Sequence, residues 1–145
     1  MKIVLQRVSY GSVKVDSKLV GEISKGYVLL FGVGNTDTEK NADFLADKIL
    51  NFRVFEDNDG KMNLSINDIQ GEILVISQFT LYGDTKKGRR PSFTDAAPPE
   101  KAESLYNYFV NKLKESSLKI QTGIFRADMK VQIDNDGPVT FLLEN

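Results

Sequence analysis

The sequence lacks both histidine and cysteine across its 145 residues. Thiol nucleophiles, disulfides, Ser-His-Asp triads and the usual zinc sites are therefore excluded. A general base that works near neutral pH must be a carboxylate or a lysine with a perturbed pKa, or it must come from the substrate. We therefore predict no metal site and no cofactor.

Long apolar segments are also absent. No run approaches the roughly 18 residues that indicate a transmembrane helix, and the first apolar residues are too few and too interrupted by charge for a signal peptide. We expect a cytoplasmic protein with no membrane partner. The net charge of −1 argues against a broad nucleic-acid-binding surface, although it allows a local basic patch.

The hydrophobic pattern predicts strands and two helices. Two apolar runs, 27–31 and 73–79, suit strands that are buried on both faces. Thr36 and Glu39 have the spacing of a capping box before the first helical stripe. A second helix follows Pro98, and its apolar stripe comprises Ala102, Leu105, Tyr106, Phe109, Val110 and Leu113.

Shorter strands are predicted around these elements, and one hairpin turns at Asn58-Asp59-Gly60. The order of strands, helix, strands, helix and strands favours a single α/β domain over residues 1–145. We predict a mixed, barrel-like sheet with two amphipathic helices packed on it. The shorter strands are 3–8, 12–15, 20–23, 53–56, 61–64, 129–133 and 139–143.

The longest irregular stretch, 83–99, contains four cations within five residues. Connections of this length are usually functional or mobile, and a dense cationic cluster suits phosphate contacts. The alternative is an ordinary solvated loop. Since the loop begins shortly after Thr80, a polyanion bound there would present its end near that residue. The four cations are Lys86, Lys87, Arg89 and Arg90.

The segment Ser77-Gln78-Phe79-Thr80 ends a predicted buried strand. In a regular strand, Ser77 and Phe79 would point to one face and Gln78 and Thr80 to the other. A hydroxyl there could act as a nucleophile only with a nearby base. Alternatively, the backbone N–H groups of Phe79 and Thr80 could hold a developing oxyanion. A purely structural role is the third interpretation.

The segment Asn135-Asp136-Gly137-Pro138-Val139-Thr140 offers stiff main chain without a side chain at its centre. Proline lacks an N–H group and has a fixed φ, so it belongs at a strand start, an edge or a turn. One interpretation is a turn that opens a last strand. The other is a rigid main-chain surface that a substrate approaches closely.

Together these two segments resemble the two signature motifs of the D-aminoacyl-tRNA deacylases. The resemblance covers essentially the whole chain, in order and without large insertions. Further matching stretches are Gln6-Arg7-Val8, Gly60-Lys61-Met62-Asn63-Leu64, Arg90-Pro91-Ser92-Phe93 and Ala127-Asp128-Met129.

The resemblance implies an esterase that edits tRNA. Members of the family hydrolyse the ester between a D-amino acid and the terminal adenosine of tRNA, and they also remove glycine. They are homodimers with sites at the subunit interface. By this resemblance, a cis Gly137-Pro138 unit from one subunit would project into the site of the other and exclude an L side chain. Such a wall would reject by clash, and glycine would pass it.

Roles for individual residues also follow from the resemblance. Arg7 would brace Gly137-Pro138, and Thr140 belongs to the same motif. Ser77, Gln78, Phe79 and Thr80 would line the adenosine and the scissile ester, and Phe125 and Met129 would complete the adenine pocket. Assistance by the terminal ribose 2′-hydroxyl is favoured over a Thr80 nucleophile, because no histidine or cysteine exists to activate that residue.

One residue departs from the family pattern. Arg126 stands where the resemblance leads us to expect glycine or alanine. A side chain that points into the pocket would interfere with adenosine, whereas one that points outward could contact a phosphate.

Two other functions compete with the esterase. A non-catalytic RNA-binding module would use the Lys86–Arg90 loop and bind tRNA without cleaving an ester. A small-molecule domain would bind free D-amino acids without any RNA. Without the family resemblance, the sequence discriminates only weakly among the three, because no catalytic dyad is visible.

Overall fold

Eight strands and two α-helices form the structure, a computed structural model that describes residues 1–145. The helices are α1 (Glu39–Asn51) and α2 (Pro99–Lys114), and one turn of 3-10 helix spans Phe79–Tyr82. No helix combines the length and the apolar character that crossing a membrane requires. The strands are β1 (Lys2–Val15), β2 (Lys18–Ile23), β3 (Gly26–Gly32), β4 (Phe55–Glu56), β5 (Met62–Leu64), β6 (Glu72–Ser77), β7 (Lys119–Thr122) and β8 (Lys130–Glu144).

The main sheet is mixed and almost closes on itself. Its strand order is β2-β1-β3-β6-β7, and β8 pairs with the other edge of β1. The β3-β6 and β6-β7 pairs are parallel, whereas every pair made by β1 is antiparallel. A side chain at Gly21 in β2 would meet the carbonyl oxygen of Thr122 in β7, so the sheet curls until these strands touch. The prediction of a mixed, barrel-like sheet is confirmed.

Both helices pack on one face of this sheet through their apolar stripes. The ring of Phe31 in β3 stacks on Phe109 in α2, with ring centroids 4.5 Å apart. Burying such stripes is what stabilises amphipathic helices in proteins. A smaller cluster fills the inside of the curl and comprises Val8, Val13, Ile23, Val28, Leu74 and Ile76.

The first helix begins later than its predicted capping box. The cap is Thr38, whose N–H and hydroxyl groups both donate to Asn41 Oδ1, at 2.8 and 2.9 Å. The pairing of Thr36 with Glu39 is therefore wrong. The reason lies in Asp37, whose buried carboxylate accepts hydrogen bonds from the Gly34 N–H and the Tyr82 hydroxyl and so holds the chain in a turn before the helix.

Strand β6 ends at Ser77, two residues before its predicted end. Its parallel partner β3 ends at Gly32, and the last paired residues are Phe31 and Ser77. The Gln78 N–H still donates to the Phe31 carbonyl at 2.7 Å, after which the chain turns into the 3-10 segment. The side-chain alternation that a regular strand would give over residues 77–80 therefore does not apply, because the strand ends at Ser77.

The two predicted C-terminal strands form one long strand, β8. Val8 pairs with Asn135 and Gln6 pairs with Thr140, so the four residues 136–139 lie opposite Arg7 alone. Gly137-Pro138 therefore lies in a four-residue bulge within a continuous strand. The interpretation of this segment as a turn that opens a last strand is wrong. Strand β7 was missed altogether, because the sequence Lys-Ile-Gln-Thr contains only one apolar residue.

Candidate functional site

A cavity of about 270 Å³ lies beside the end of β6. It lies between the ends of β3 and β6, the first half of α2 and the segment that leads into β8. Of its fourteen lining residues, eleven are hydrophobic. The fourteen lining residues are Phe31, Val33, Ile76, Ser77, Gln78, Phe79, Ala97, Ala102, Tyr106, Phe125, Arg126, Ala127, Met129 and Val131.

The cavity unites five of the predicted site residues. Ser77, Gln78 and Phe79 enter it from the end of β6, and Phe125 and Met129 enter it from the opposite side. The carboxyl ends of parallel strands are where α/β sheets usually place their sites, and β3 and β6 end there together.

Aromatic side chains give the cavity a rigid wall. The rings of Tyr106 and Phe125 have centroids 5.9 Å apart. The Tyr106 hydroxyl donates to the Val75 carbonyl at 2.8 Å, and burial raises its pKa above the ordinary tyrosine range. Tyr106 therefore stays protonated near neutral pH and cannot serve as a base. Such a wall suits a flat, largely apolar group such as a nucleobase.

Two backbone N–H groups beside the cavity have no partner. Those of Phe79 and Thr80 begin the 3-10 segment, where the first N–H groups of a helical turn lack acceptors within it. Neither group donates to any other acceptor in the chain. The Phe79 side chain is 59% exposed. This corner can therefore donate two adjacent hydrogen bonds to a bound oxygen.

The hydroxyl of Thr80 has no base beside it. Its Oγ1 accepts a hydrogen bond from Gln78 Nε2 at 2.5 Å, and an amide donor cannot remove its proton. The cavity lining contains no aspartate, glutamate, lysine or histidine. Thr80 is exposed and is not itself among the lining residues.

Arg126 lies in the cavity lining and is its only charged residue. Its backbone has a φ of +64°, in the left-handed region that favours glycine. It stands in a turn that is closed by a hydrogen bond of 3.2 Å from the Ala127 N–H to the Ile124 carbonyl. Arg126 therefore borders the cavity and is at the same time exposed to solvent.

The remaining motif residues form a second group, which does not line the cavity. Arg7 is only 6% exposed, and it donates to the carbonyl of Val54 at 2.7 Å and to that of Asp136 at 3.2 Å. The Asp136 carboxylate also lies 3.5 Å from Arg7 Nε. Arg7 therefore ties the bulge of β8 to the chain segment before β4.

Gly137 and Pro138 are exposed at the tip of this bulge. The peptide bond between them is cis, and Gly137 has a φ of +125°, which L side chains rarely adopt. A Cβ atom on Gly137 would also lie 3.1 Å from Arg7 Nη2. Thr140 follows the bulge, and its hydroxyl oxygen accepts a hydrogen bond from Asn135 Nδ2 at 2.9 Å.

The basic loop is anchored at its base and free at its tip. Asp84 and Ser92 exchange backbone hydrogen bonds of 2.7 and 2.9 Å, and the Phe93 ring contacts that of Phe79 with centroids 5.0 Å apart. The loop therefore begins and ends next to the cavity. Its four cations are exposed and form no salt bridge within the chain. They are Lys86, Lys87, Arg89 and Arg90.

Comparison with known proteins decides the family. The family model described as D-Tyr-tRNA(Tyr) deacylase matches residues 4–144. The chain belongs to this family. Its relatives include the D-aminoacyl-tRNA deacylase of Thermosipho melanesiensis, 57% identical over 100% of this chain and 97% of the relative. That of Geotalea uraniireducens is 60% identical over 99% of this chain and 93% of the relative.

Two solved structures share the fold of this chain. The structure of a c-Myc DNA unwinding element binding protein has a TM-score of 0.95 and 45% identity, covering 100% of this chain and 99% of that one. A probable eukaryotic D-amino acid tRNA deacylase has a TM-score of 0.84 and 16% identity, covering 98% and 97%. At that identity, the second similarity shows the shared fold alone.

Sequence reasoning missed most of the apolar lining of the cavity. Ala102 and Tyr106 are four positions apart on the stripe of α2, which is also the spacing of core residues. The same stripe carries Phe109 and Leu113 into the core. No local signal separates the part of the stripe that meets a cavity from the part that meets a strand.

Proposed function

We propose that this member of the D-Tyr-tRNA(Tyr) deacylase family hydrolyses the ester that joins a D-amino acid to the terminal adenosine of tRNA. The match of the family model over residues 4–144 carries this proposal. The aromatic wall and the volume of the cavity suit the adenine base, and the ester would then be bound beside Ser77, Gln78 and Phe79, which line the same cavity. A tRNA substrate also favours a cytoplasmic location and a role in proofreading chirality during translation.

Water is the nucleophile in the mechanism that we favour. It adds to the ester carbonyl carbon, the bond from that carbon to the ribose 3′-oxygen breaks, and the 3′-oxygen takes up a proton. The neighbouring 2′-hydroxyl assists these proton transfers, since the cavity lining supplies no base. The free N–H groups of Phe79 and Thr80 would stabilise the oxyanion, a contribution that is often large in acyl transfer.

The chiral filter requires a second copy of the chain. Gly137 and Pro138 are exposed and do not line the cavity of their own chain. In a homodimer, the bulge of one subunit would face the cavity of the other, and its main-chain carbonyl groups would oppose the α-carbon of the substrate. An L side chain would collide with this surface, whereas a D side chain points away and glycine has none. Glycyl-tRNA is therefore a second expected substrate.

The deciding experiment compares two substrates that differ only in handedness. Purified protein is incubated with D-Tyr-tRNA and with L-Tyr-tRNA, and release of tyrosine is followed at the same enzyme concentration. We expect rapid hydrolysis of the D form and spontaneous rates for the L form. Equal rates for both forms, or no hydrolysis of the D form, would reject the proposal.

The basic loop supports a second candidate, a non-catalytic nucleic-acid-binding module. Its four cations have no partner within the chain, and a protein of the same fold is described as binding a DNA element. This function predicts salt-dependent binding of tRNA with no loss of the aminoacyl group. A domain for free amino acids would instead bind D-tyrosine in the absence of RNA, which calorimetry would detect.

A further inference from the structure

Arg126 is the one cation among the fourteen residues of the cavity lining. Its guanidinium group has five N–H donors, yet its side chain makes no hydrogen bond or salt bridge within the chain. Ser77 and Gln78 are the only other lining residues that are not hydrophobic. The positive charge at this cavity is therefore available to a bound molecule.

The backbone at this position gives no reason for an arginine. A φ of +64° is energetically unfavourable for any residue that has a side chain, whereas glycine adopts it without this cost. Residues held in such sparsely populated conformations are concentrated at ligand sites. The left-handed turn carries an exposed arginine directly after Phe125, and both residues line the cavity.

The chemistry of the substrate limits which anion this charge can meet. This step rests on the proposed function, in which the cavity holds the terminal adenosine. The esterified amino acid has no free carboxylate and carries a cationic amino group. The nearest anion is then the phosphodiester attached to the 5′-oxygen of that adenosine. Arginine is well suited to phosphate because its planar donors bind two oxygens at once.

We propose that Arg126 binds the phosphodiester that joins the terminal adenosine of tRNA to the nucleotide before it. This contact is separate from those of the Lys86–Arg90 loop, since none of those four residues lines the cavity. It would fix the depth of the adenosine, and with it the position of the ester at Ser77 and Phe79. Arg126 is thus a substrate-binding residue that takes no part in bond breaking.

The variant Arg126→Gly tests this contact without strain in the fold. Glycine accepts the left-handed conformation, so the melting temperature should stay the same or rise. We expect the KM for D-Tyr-tRNA to rise about tenfold and kcat to change less than about twofold. The slope of log affinity against log salt should become shallower by about 0.7, the value for one contact on a single strand.

Lys114→Ala is the matched control. It also removes one positive charge, but it lies on α2 twelve positions beyond Ala102, about 18 Å further along the helix. KM and the salt slope should both stay at the wild-type values. If Arg126→Gly behaves like Lys114→Ala in both measurements, the proposal is overturned. Arg126→Lys should recover the salt slope but only part of the affinity, because lysine binds phosphate as a point charge.

A binding assay separates this proposal from the proposed function. An acceptor-stem RNA without an attached amino acid is prepared in two forms. In one form the terminal linkage is a normal phosphodiester, and in the other it is a methylphosphonate, which carries no negative charge. Wild-type protein should lose about tenfold in affinity with the methylphosphonate, and Arg126→Gly should lose almost none. This pattern supports the contact even if D-Tyr-tRNA is not hydrolysed. An equal loss in both proteins, or no RNA binding by the wild type, would overturn it.

Discussion

At the scale of single residues, the proposed mechanism gives main-chain N–H groups the part that side chains play in a Ser-His-Asp esterase. The hydroxyl of Thr80 is hydrogen-bonded only to the side-chain amide of Gln78, whereas the backbone N–H groups of Phe79 and Thr80 are free. A Ser-His-Asp site needs a base within hydrogen-bond distance of the hydroxyl. No residue of the cavity lining meets that requirement. In the mechanism that we propose, the chemistry therefore depends on how the backbone turns after β6, not on a reactive side chain.

Replacement of Thr80 by valine tests this view. Thr80→Val removes the hydroxyl but keeps the shape and the backbone N–H, so kcat for D-Tyr-tRNA should fall by less than about tenfold. A tRNA that carries D-tyrosine on the 3′-oxygen of a terminal 2′-deoxyadenosine should react with wild-type protein at least about 100-fold more slowly, because the assisting hydroxyl is missing.

Single-turnover rates with both substrates decide between the mechanisms. Ser77→Ala serves as the control for loss of a neighbouring hydroxyl in the lining. Complete loss of turnover in Thr80→Val, with normal folding and tRNA binding, would instead identify Thr80 as the nucleophile.

At the scale of elements, the parallel pair β3-β6 positions the site. The register runs without a shift from Gly26 opposite Glu72 to Phe31 opposite Ser77. The pairing of the first residues therefore determines that Ser77 lies opposite Phe31, beside the cavity. The strands approach so closely at their start that a Cβ on Gly26 would overlap the carbonyl oxygen of Glu72. The Glu72 N–H also donates to the Lys25 carbonyl at 3.0 Å, just before the ladder begins.

The variant Gly26→Ala should be strongly destabilised, because the added methyl group meets backbone that cannot rotate away. We expect the free energy of unfolding to fall by at least about 2 kcal/mol, measured by urea denaturation. Ser24→Ala is the control, since Ser24 is exposed and its hydroxyl makes no hydrogen bond in the chain; it should change stability by less than about 0.5 kcal/mol. Similar urea midpoints for the two variants would show that β3 and β6 do not approach as closely as described.

At the scale of the whole molecule, the motif residues fall into two places. The cavity holds Ser77, Gln78 and Phe79, whereas Gly137 and Pro138 lie on the exposed bulge of β8. Strand β8 pairs with β1 alone, so its other edge is open in a single chain. In a homodimer with two-fold symmetry, the bulge of each subunit would meet the cavity of the other, which gives two equivalent contacts per dimer. One functional site would then need residues from both chains.

Two inactive subunits should therefore complement each other. One carries Gln78→Ala with Phe79→Ala, which removes two side chains of the cavity lining and so weakens substrate binding there, and the other carries Gly137→Ala, which places a methyl group on the bare main chain. Co-expressed with different tags and purified as a heterodimer, they should form one intact and one doubly altered site. About half of the wild-type activity is expected from this symmetry.

Each variant alone and the heterodimer are compared by activity, circular dichroism and molecular mass. A heterodimer no more active than its parents, with all chains folded, would place the whole site in one subunit. A wild-type mass equal to that of one chain would also contradict the composite site.

The elements that could be predicted from sequence are those with a strong local period. The stripe of α2 and the apolar runs of β3 and β6 are confirmed, because burial imposes 3.6-residue or continuous patterns on adjacent residues. The ends of elements were less predictable. Thr38 caps α1 in place of Thr36, because Asp37 is held by groups as distant in sequence as Tyr82.

The sequence by itself determined the chemical inventory and the order of elements. The lack of histidine and cysteine excludes most catalytic dyads whatever the fold, and local periodicity determines where helices and strands form. Only the tertiary structure decided that β6 stops at Ser77, that the Gly137 bulge interrupts one continuous strand, and that Arg126 lines the cavity. These outcomes depend on where the partner strands end and on which distant segments come into contact. Such long-range contacts produce no periodic pattern of hydrophobic residues in the sequence.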